Sequence, residues 1–233
     1  MLGDANRRRG DGVTAPAGAR RMPPAAVIRD AAVPLSCLLV FGVAWTALAI
    51  APRFRADWLL ENYPTFVAVP AVLVSYRWFR FSDRAYVQGT VFLVLHTIGS
   101  HYTYSEVPLG DAMRDALGLA RNHYDRMVHL AFGLLMLRPM RELGFRRGRP
   151  GTFATLYFSV AGVALWSSVY EIVEWLTAQV VDPAAGTAFL GTQGDPWDAE
   201  KDMTCALVGA LGAAGIEAVV DPRRPHAARG NRR

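Results

Sequence analysis

The stretch that decides the fold is residues 91–133, VFLVLHTIGS HYTYSEVPLG DAMRDALGLA RNHYDRMVHL AFG. Two apolar runs flank a polar elbow, and His96, His101, Asp125 and His129 lie in or beside those runs. An ionisable side chain at the centre of a membrane-crossing helix costs about 2.5–3.5 kcal/mol or more, so such residues are rare and mark sites. The placement of these four therefore needs a physical reason.

The rest of the chain explains why the runs read as membrane spans. Of its 233 residues 52% are hydrophobic and only 19% charged, against about 25% charged in an ordinary soluble domain; the mean hydropathy is +0.17. Apolar runs of roughly 18 residues or more read as spans, and the chain holds several. The expected fold is all-α, a polytopic transmembrane helical bundle over residues 30–221 with about six spans. These fall at 31–51, 58–78, 85–104, 122–137, 153–180 and 202–220. The alternating strands of an outer-membrane barrel are absent from the pattern. Residues 1–29 carry Arg7, Arg8, Arg9, Arg20 and Arg21 among Gly, Pro and Ala and read as a disordered basic tail; residues 222–233 read as a second basic tail. The run 31–51 outlasts the usual apolar core of a signal peptide and reads as an uncleaved first span. The second run is the weakest, with Glu61 and Asn62 near its start and Pro64 and Pro70 inside it.

The net charge is +5, and Lys201 is the only lysine. In a membrane protein such a surplus reports topology rather than nucleic-acid binding, because Arg and Lys gather in cytoplasmic loops. Arginines cluster in the first tail, after span two, after span four and in the last tail; the alternate loops are poorer. That alternation places both termini in the cytoplasm. Cys37 and Cys205 fall near opposite faces by this topology, too far apart for a disulfide.

Topology turns the scattered polar residues into a pattern. Spans three to six deliver their ionisable side chains to the outer, periplasmic face. Asp125 and His129 are i,i+4, as are Asp198 and Asp202, while Glu171 and Glu174 are i,i+3, so each pair shares a helix face. Histidine with carboxylates on facing helices is how bundles build metal sites. His96, His129, Asp198 and Asp202 are the expected ligands of a divalent metal. The mixture of imidazole and carboxylate suits Zn, Mn or Fe, and a carboxylate-rich set suits Ca or Mg. Glu171, Glu174 and Asp125 are the expected acid–base groups, and His101, Tyr104, Glu106 and Asp195 the surrounding groups. The substrate would be a lipid, a lipid-linked molecule or a periplasmic small molecule. Two other classes stand beside this one: a proton- or ion-coupled transporter, and a non-catalytic scaffold whose cluster fixes helix packing.

Each piece also has a plainer use. Asn122 is placed to cap a helix with Asp125 in its first turn. Asp195-Pro196-Trp197-Asp198 has the form of a helix start. Trp175, Trp197, Tyr102 and Tyr104 fit an interfacial aromatic belt. Arg126 is a candidate partner for Asp125 or Glu171, and Glu217 for a tail arginine. Gly186, Gly191 and Gly194 point to a loop that caps the outer face. No phosphate-binding loop, H-E-x-x-H or G-x-S-x-G motif is present.

The segments HTIGSHYTYSEVPLG, RNHYDRMVHLAFGLL, YEIVEWLTA and FLGTQGDPWDAEKDM resemble the YjdF-type family of bacterial inner-membrane proteins, over about residues 89–209. The resemblance implies a plasma-membrane location and a multi-span fold, and supplies no activity. A looser similarity to VanZ-like membrane proteins touches Asp125, His129, Glu171 and Asp202; likeness at that level does not carry function.

Overall fold

A computed structural model describes residues 24–145, 152–181 and 183–220. The tail segments 1–23 and 221–233, and the basic loop with Arg146, Arg147 and Arg149, lie outside the described residues. Among the described residues the structure is helical: α1 (Pro24–Leu48), α2 (Arg55–Ser75), α3 (Asp83–Tyr102), α4 (Pro108–Leu117), α5 (Tyr124–Phe145), α6 (Thr152–Val180), α7 (Pro183–Leu190) and α8 (Asp198–Val220), with a 3-10 turn at Tyr104–Glu106. Each expected span has become a long helix.

Among the described residues, three helices are long and apolar enough by themselves to cross a membrane: Ala31–Leu48 of α1, Phe153–Val180 of α6 and Asp198–Val220 of α8. The other three long helices carry several polar residues inside the protein. Asp57, Glu61, Asn62 and Thr65 of α2 are buried, as are His96, Thr97 and Ser100 of α3, and His129 and Arg141 of α5. Meanwhile α2 exposes Leu59, Tyr63, Phe66 and Val67. This arrangement, apolar outward and polar inward, is what hydrocarbon demands of a helix with polar groups. α6 has 29 residues, about 44 Å of helix, which exceeds the hydrocarbon thickness and requires tilt or projection.

α5 is the centre of the packing. It lies along α8, and α3 and α6 also pack against it. A Cβ on Gly133 would collide with the Ala206 carbonyl, and one on Gly209 with the Leu130 carbonyl. The two helices thus meet backbone to backbone, the geometry that small residues permit in membranes. Ala206 and Ala210 are fully buried along the same seam. Toward one end, Leu137, Val163, Ala210 and Ala213 form an apolar cluster. Beyond it, buried Glu217 pairs with Arg138 (2.8 Å) and with Arg141. Two arginines of α5 that the seam brings opposite α8 thus hold Glu217; the tail arginine expected as its partner lies outside the described residues.

Two short helices stand where loops were expected. α4 begins with Pro108 at its first turn and ends at Gly118, whose φ of 64° closes it. α7 forms within the expected glycine-rich loop because Gly186 sits within contact of Ala178 on α6, where a Cβ would approach the carbonyl at 3.0 Å. The remaining loop starts at Gly191 (φ 58°) and includes Gln193 (φ 48°) and Gly194 (φ 84°).

The seam gives a direct prediction. Gly133→Val or Gly209→Val should destabilise the protein by about 1–3 kcal/mol, the usual cost of overpacking, read as a lower melting temperature in detergent. Gly215→Ala, where an added Cβ meets nothing, should stay within about 0.5 kcal/mol of wild type. Equal shifts for all three would refute the close crossing.

Candidate functional site

The seam between α5 and α8 ends in a cluster of ionisable side chains. The start of α5 is set by Asn122, whose Oδ1 accepts from the Tyr124 backbone N–H at 3.0 Å. Its amide nitrogen donates to the Val107 carbonyl and to Asp111, so the capping residue also fixes the start of α4. Asp125 and His129 follow on one face of α5. His129 Nε2 lies 3.6 Å from Asp125 Oδ1 and 3.3 Å from Glu171 Oε1 of α6. Potential ligand atoms of Asp125, His129 and Asp202 all fall within 4.8 Å of one another. Asp202 Oδ1 and Glu171 Oε1 are buried without a hydrogen-bond partner, and their side chains are only 3% and 10% exposed. Buried carboxylate oxygens left unpaired are costly. A cation is the partner that this donor set fits.

The cluster faces a cavity of about 400 Å³ between α6, α8 and the 190–196 loop; Asp125, Glu171, Glu174, Trp175 and Asp202 are part of its wall. Glu171 and Glu174, one turn apart on α6, both line this cavity. Behind them the Tyr170 hydroxyl donates to Glu61 Oε2 of α2 at 3.0 Å, linking a fourth helix to the site.

A separate ion network frames the cavity. Arg121 forks onto Asp198 at 2.5 and 3.2 Å, and both side chains are buried. Such bidentate pairs fix orientation as well as charge. Arg126 donates to Asp195 at 2.5 Å and to Asp198 at 3.0 Å, and Lys201 reaches Asp195 at 2.6 Å. Arg121 also donates to the Thr192 carbonyl at 2.8 Å, while the Gln193 amide accepts from the Asn122 N–H and donates to its carbonyl. The loop is thereby strapped to the start of α5. The Lys201 ammonium, the Trp197 backbone N–H and the Arg126 guanidinium hold the Asp195 carboxyl well below the usual carboxylate range, with Lys201 the largest influence.

The expected site residues divide accordingly. His129, Asp125, Asp202, Glu171 and Glu174 are brought together. Asp198 is close by, but both of its oxygens are held by arginines, so it frames the site instead of serving as a free ligand. Asp195 is likewise an ion-pair partner on the cavity wall. His96 has a different role from the expected one. Its Nε2 lies 3.0 Å from the Glu61 carbonyl and its Nδ1 2.5 Å from the Tyr104 hydroxyl. A carbonyl only accepts, so Nε2 donates and Nδ1 accepts from Tyr104; both ring nitrogens are occupied. Tyr104 reaches it by folding under Gly99, where a Cβ would lie 2.6 Å from the tyrosine ring. His101 Nδ1 donates to the Leu48 carbonyl at 2.7 Å, and Glu106 pairs with exposed Arg53 at 2.6 Å. These elbow residues tie helix ends together away from the cavity wall. Arg126 pairs with Asp195 of the loop and Asp198 of α8 rather than with Asp125 or Glu171.

Glu61, Tyr170 and Arg121 were not singled out by sequence reasoning. Glu61 carried a usable signal: an acid inside an apolar run is a site candidate by default. Arg121 carries no such signal, since its partner lies 77 residues away.

The family described as "Predicted membrane protein (DUF2238)" matches residues 33–223. The inner membrane protein YjdF of Escherichia coli (strain K12) is 34% identical over 190 residues, covering 79% of this chain and 86% of the relative. No solved structure matches the chain significantly.

The Asp195 network sets a pH dependence. Its folded value lies below its unfolded one, so its stabilising contribution is complete above the ordinary carboxylate value, about 4, and is lost as pH falls through the depressed one. Asp195→Asn should therefore melt below wild type at neutral pH, with the gap closing as the pH falls below the ordinary carboxylate range. A constant gap across the acid limb of a detergent melting series would contradict this.

Proposed function

The chain belongs to the DUF2238 family of membrane proteins and is a multi-pass plasma-membrane protein; from that premise we propose that it binds a divalent metal ion between α5, α6 and α8 and acts on a lipid or lipid-linked substrate. One observation carries the reading. Asp125, His129 and Asp202 offer donor atoms within 4.8 Å, and buried Asp202 Oδ1 makes no hydrogen bond, its nearest cation being Arg126 Nε at 4.0 Å. An imidazole among carboxylates favours Zn, Mn or Fe over Ca or Mg. By the arginine bias of the loops the site faces the periplasm.

The chain's own residues supply the remaining parts. Asp125, His129, Asp202 and Glu171 would hold the ion. Glu174 stands beside them as an acid–base group within the cavity. Trp175 and Leu190 on the wall suit the apolar stem of a substrate entering from the bilayer. A bound divalent ion would polarise a carbonyl or phosphoryl oxygen and acidify a water, the usual contribution of such ions to hydrolysis and group transfer. The Arg121–Asp198–Arg126 network holds α8 in register with α5.

The carrier reading needs a polar path through the bundle. The apolar cluster of Leu137, Val163, Ala210 and Ala213 lies across that direction and weighs against it. The scaffold reading explains the arginine network but gives no use to the cavity that Asp125, Glu171, Glu174 and Asp202 line.

Metal analysis tests the proposal directly. Wild type purified without chelator, or reloaded with Zn, Mn or Fe, should retain at least one equivalent per chain. His129→Ala and Asp202→Asn should weaken retention by more than about 10-fold. A wild type that stays metal-free after reloading would sink the reading.

A further inference from the structure

Charge on the cavity wall has one sign. Asp125, Glu171, Glu174, Asp195, Asp198 and Asp202 lie on it, and among the described residues no Lys or Arg does. The bases of the surrounding network are engaged by two of these acids: Arg121 and Arg126 by Asp198, Arg126 and Lys201 by Asp195. Those three cations and one divalent ion together still leave a formal negative charge on the wall. Asp202 marks the cavity as more than an acidic surface. Its side chain is 3% exposed, with Arg126 Nε at 4.0 Å its nearest cation, and its Oδ1 makes no hydrogen bond. A buried carboxylate oxygen in that state is stabilised by a donor or cation arriving from the cavity.

The rest of the wall includes Trp175, Leu190 and Pro196, and Trp175 is exposed. At about 400 Å³ the space suits a small head group with the start of an apolar stem, since ligand sites usually combine a mostly apolar wall with a few placed polar groups. An anionic head would find no base on this wall, and like charges brought together are unfavourable. A protonated amine meets the opposite conditions: carboxylates for its N–H donors, and an indole whose face attracts cations. With the divalent ion on Asp125, His129, Asp202 and Glu171, Glu174 is the wall acid left to pair with it.

We propose that the cavity selects an amphiphile whose head is an ammonium, paired with Glu174 and seated against Trp175. This names the substrate class of the site proposed above and rests on that reading.

The test uses the full-length protein in a non-ionic detergent, loaded with Mn²⁺ and titrated calorimetrically with three probes of one tail: octylammonium, octanol and octyl phosphate. Octylammonium should bind saturably and at least about 10-fold more tightly than octanol, the difference one charged hydrogen-bonded pair makes, with octyl phosphate weaker than octylammonium. The chain's net charge of +5 would by itself favour the phosphate, so this order reports the cavity. Glu174→Gln should bring octylammonium down to the level of octanol. Glu106→Gln, whose carboxylate pairs with Arg53 away from the wall, should change nothing. Octylammonium no tighter than octanol, octyl phosphate tighter than octylammonium, or a preference that survives Glu174→Gln each overturn the proposal. Should Glu174→Gln fail to fold, Trp175→Leu replaces it: octylammonium should weaken about 3-fold with octanol unchanged, and equal losses for both probes overturn the proposal. A protein that retains no Mn²⁺ sinks the metal reading alone; the same titration on that ion-free protein, with its wall more negative, still has to give the ammonium preference.

Discussion

The close crossing of α5 and α8 governs the rest of the structure. Gly133 and Gly209 let two backbones touch, and that contact sets how far apart their ionisable side chains stand. Four residues before Gly133, His129 faces α8; seven residues before Gly209, Asp202 faces α5. A wider crossing would pull the Asp125, His129 and Asp202 side chains out of their 4.8 Å grouping. In a bilayer the hydrophobic effect does not press helices together, so small residues and interhelical polar contacts do the work. The same seam brings Glu217 against Arg138 and Arg141 at its other end, so both ends are locked by charge.

Burial in a membrane protein is a sorting of polar groups away from lipid. α2 shows this most plainly. Its exposed face carries Leu59, Phe66 and Val67, while Asp57, Glu61 and Asn62 are buried. Asn62 accepts from Trp45 Nε1 and donates to Ser100, tying three helices through one amide. Asp57 accepts from Thr103 at 2.6 Å. These contacts stabilise the first half of the bundle around His96 and Tyr104, and they leave the metal-type donors concentrated at α5, α6 and α8. The protein thus has two polar regions: one around His96 and Tyr104, where Asn62, Thr103 and His96 are paired while Asp57 Oδ1 and Trp58 Nε1 are not, and one in which carboxylates line a cavity.

Several of these features could be read directly from residue order. Apolar run length predicts each long helix, because spanning hydrocarbon requires about 20 residues whatever the neighbours are. The i,i+3 and i,i+4 spacings of Asp125 with His129, Glu171 with Glu174 and Asp198 with Asp202 fix which side chains share a face. Capping at Asn122 follows from its side chain alone.

What the chain's order left open is which ionisable groups meet. His96 and His129 look equivalent by depth and composition; only the fold under Gly99 brings Tyr104 onto His96 and uses up its ring nitrogens. Asp198 and Asp202 look equivalent by spacing; only the position of Arg121, brought beside the start of α8 by the strapped loop, takes Asp198 and spares Asp202. Helix formation and span length depend on local, periodic properties of the chain. Pairing of charges depends on distances between residues far apart in sequence, and those distances are decided by how closely α5 and α8 can approach.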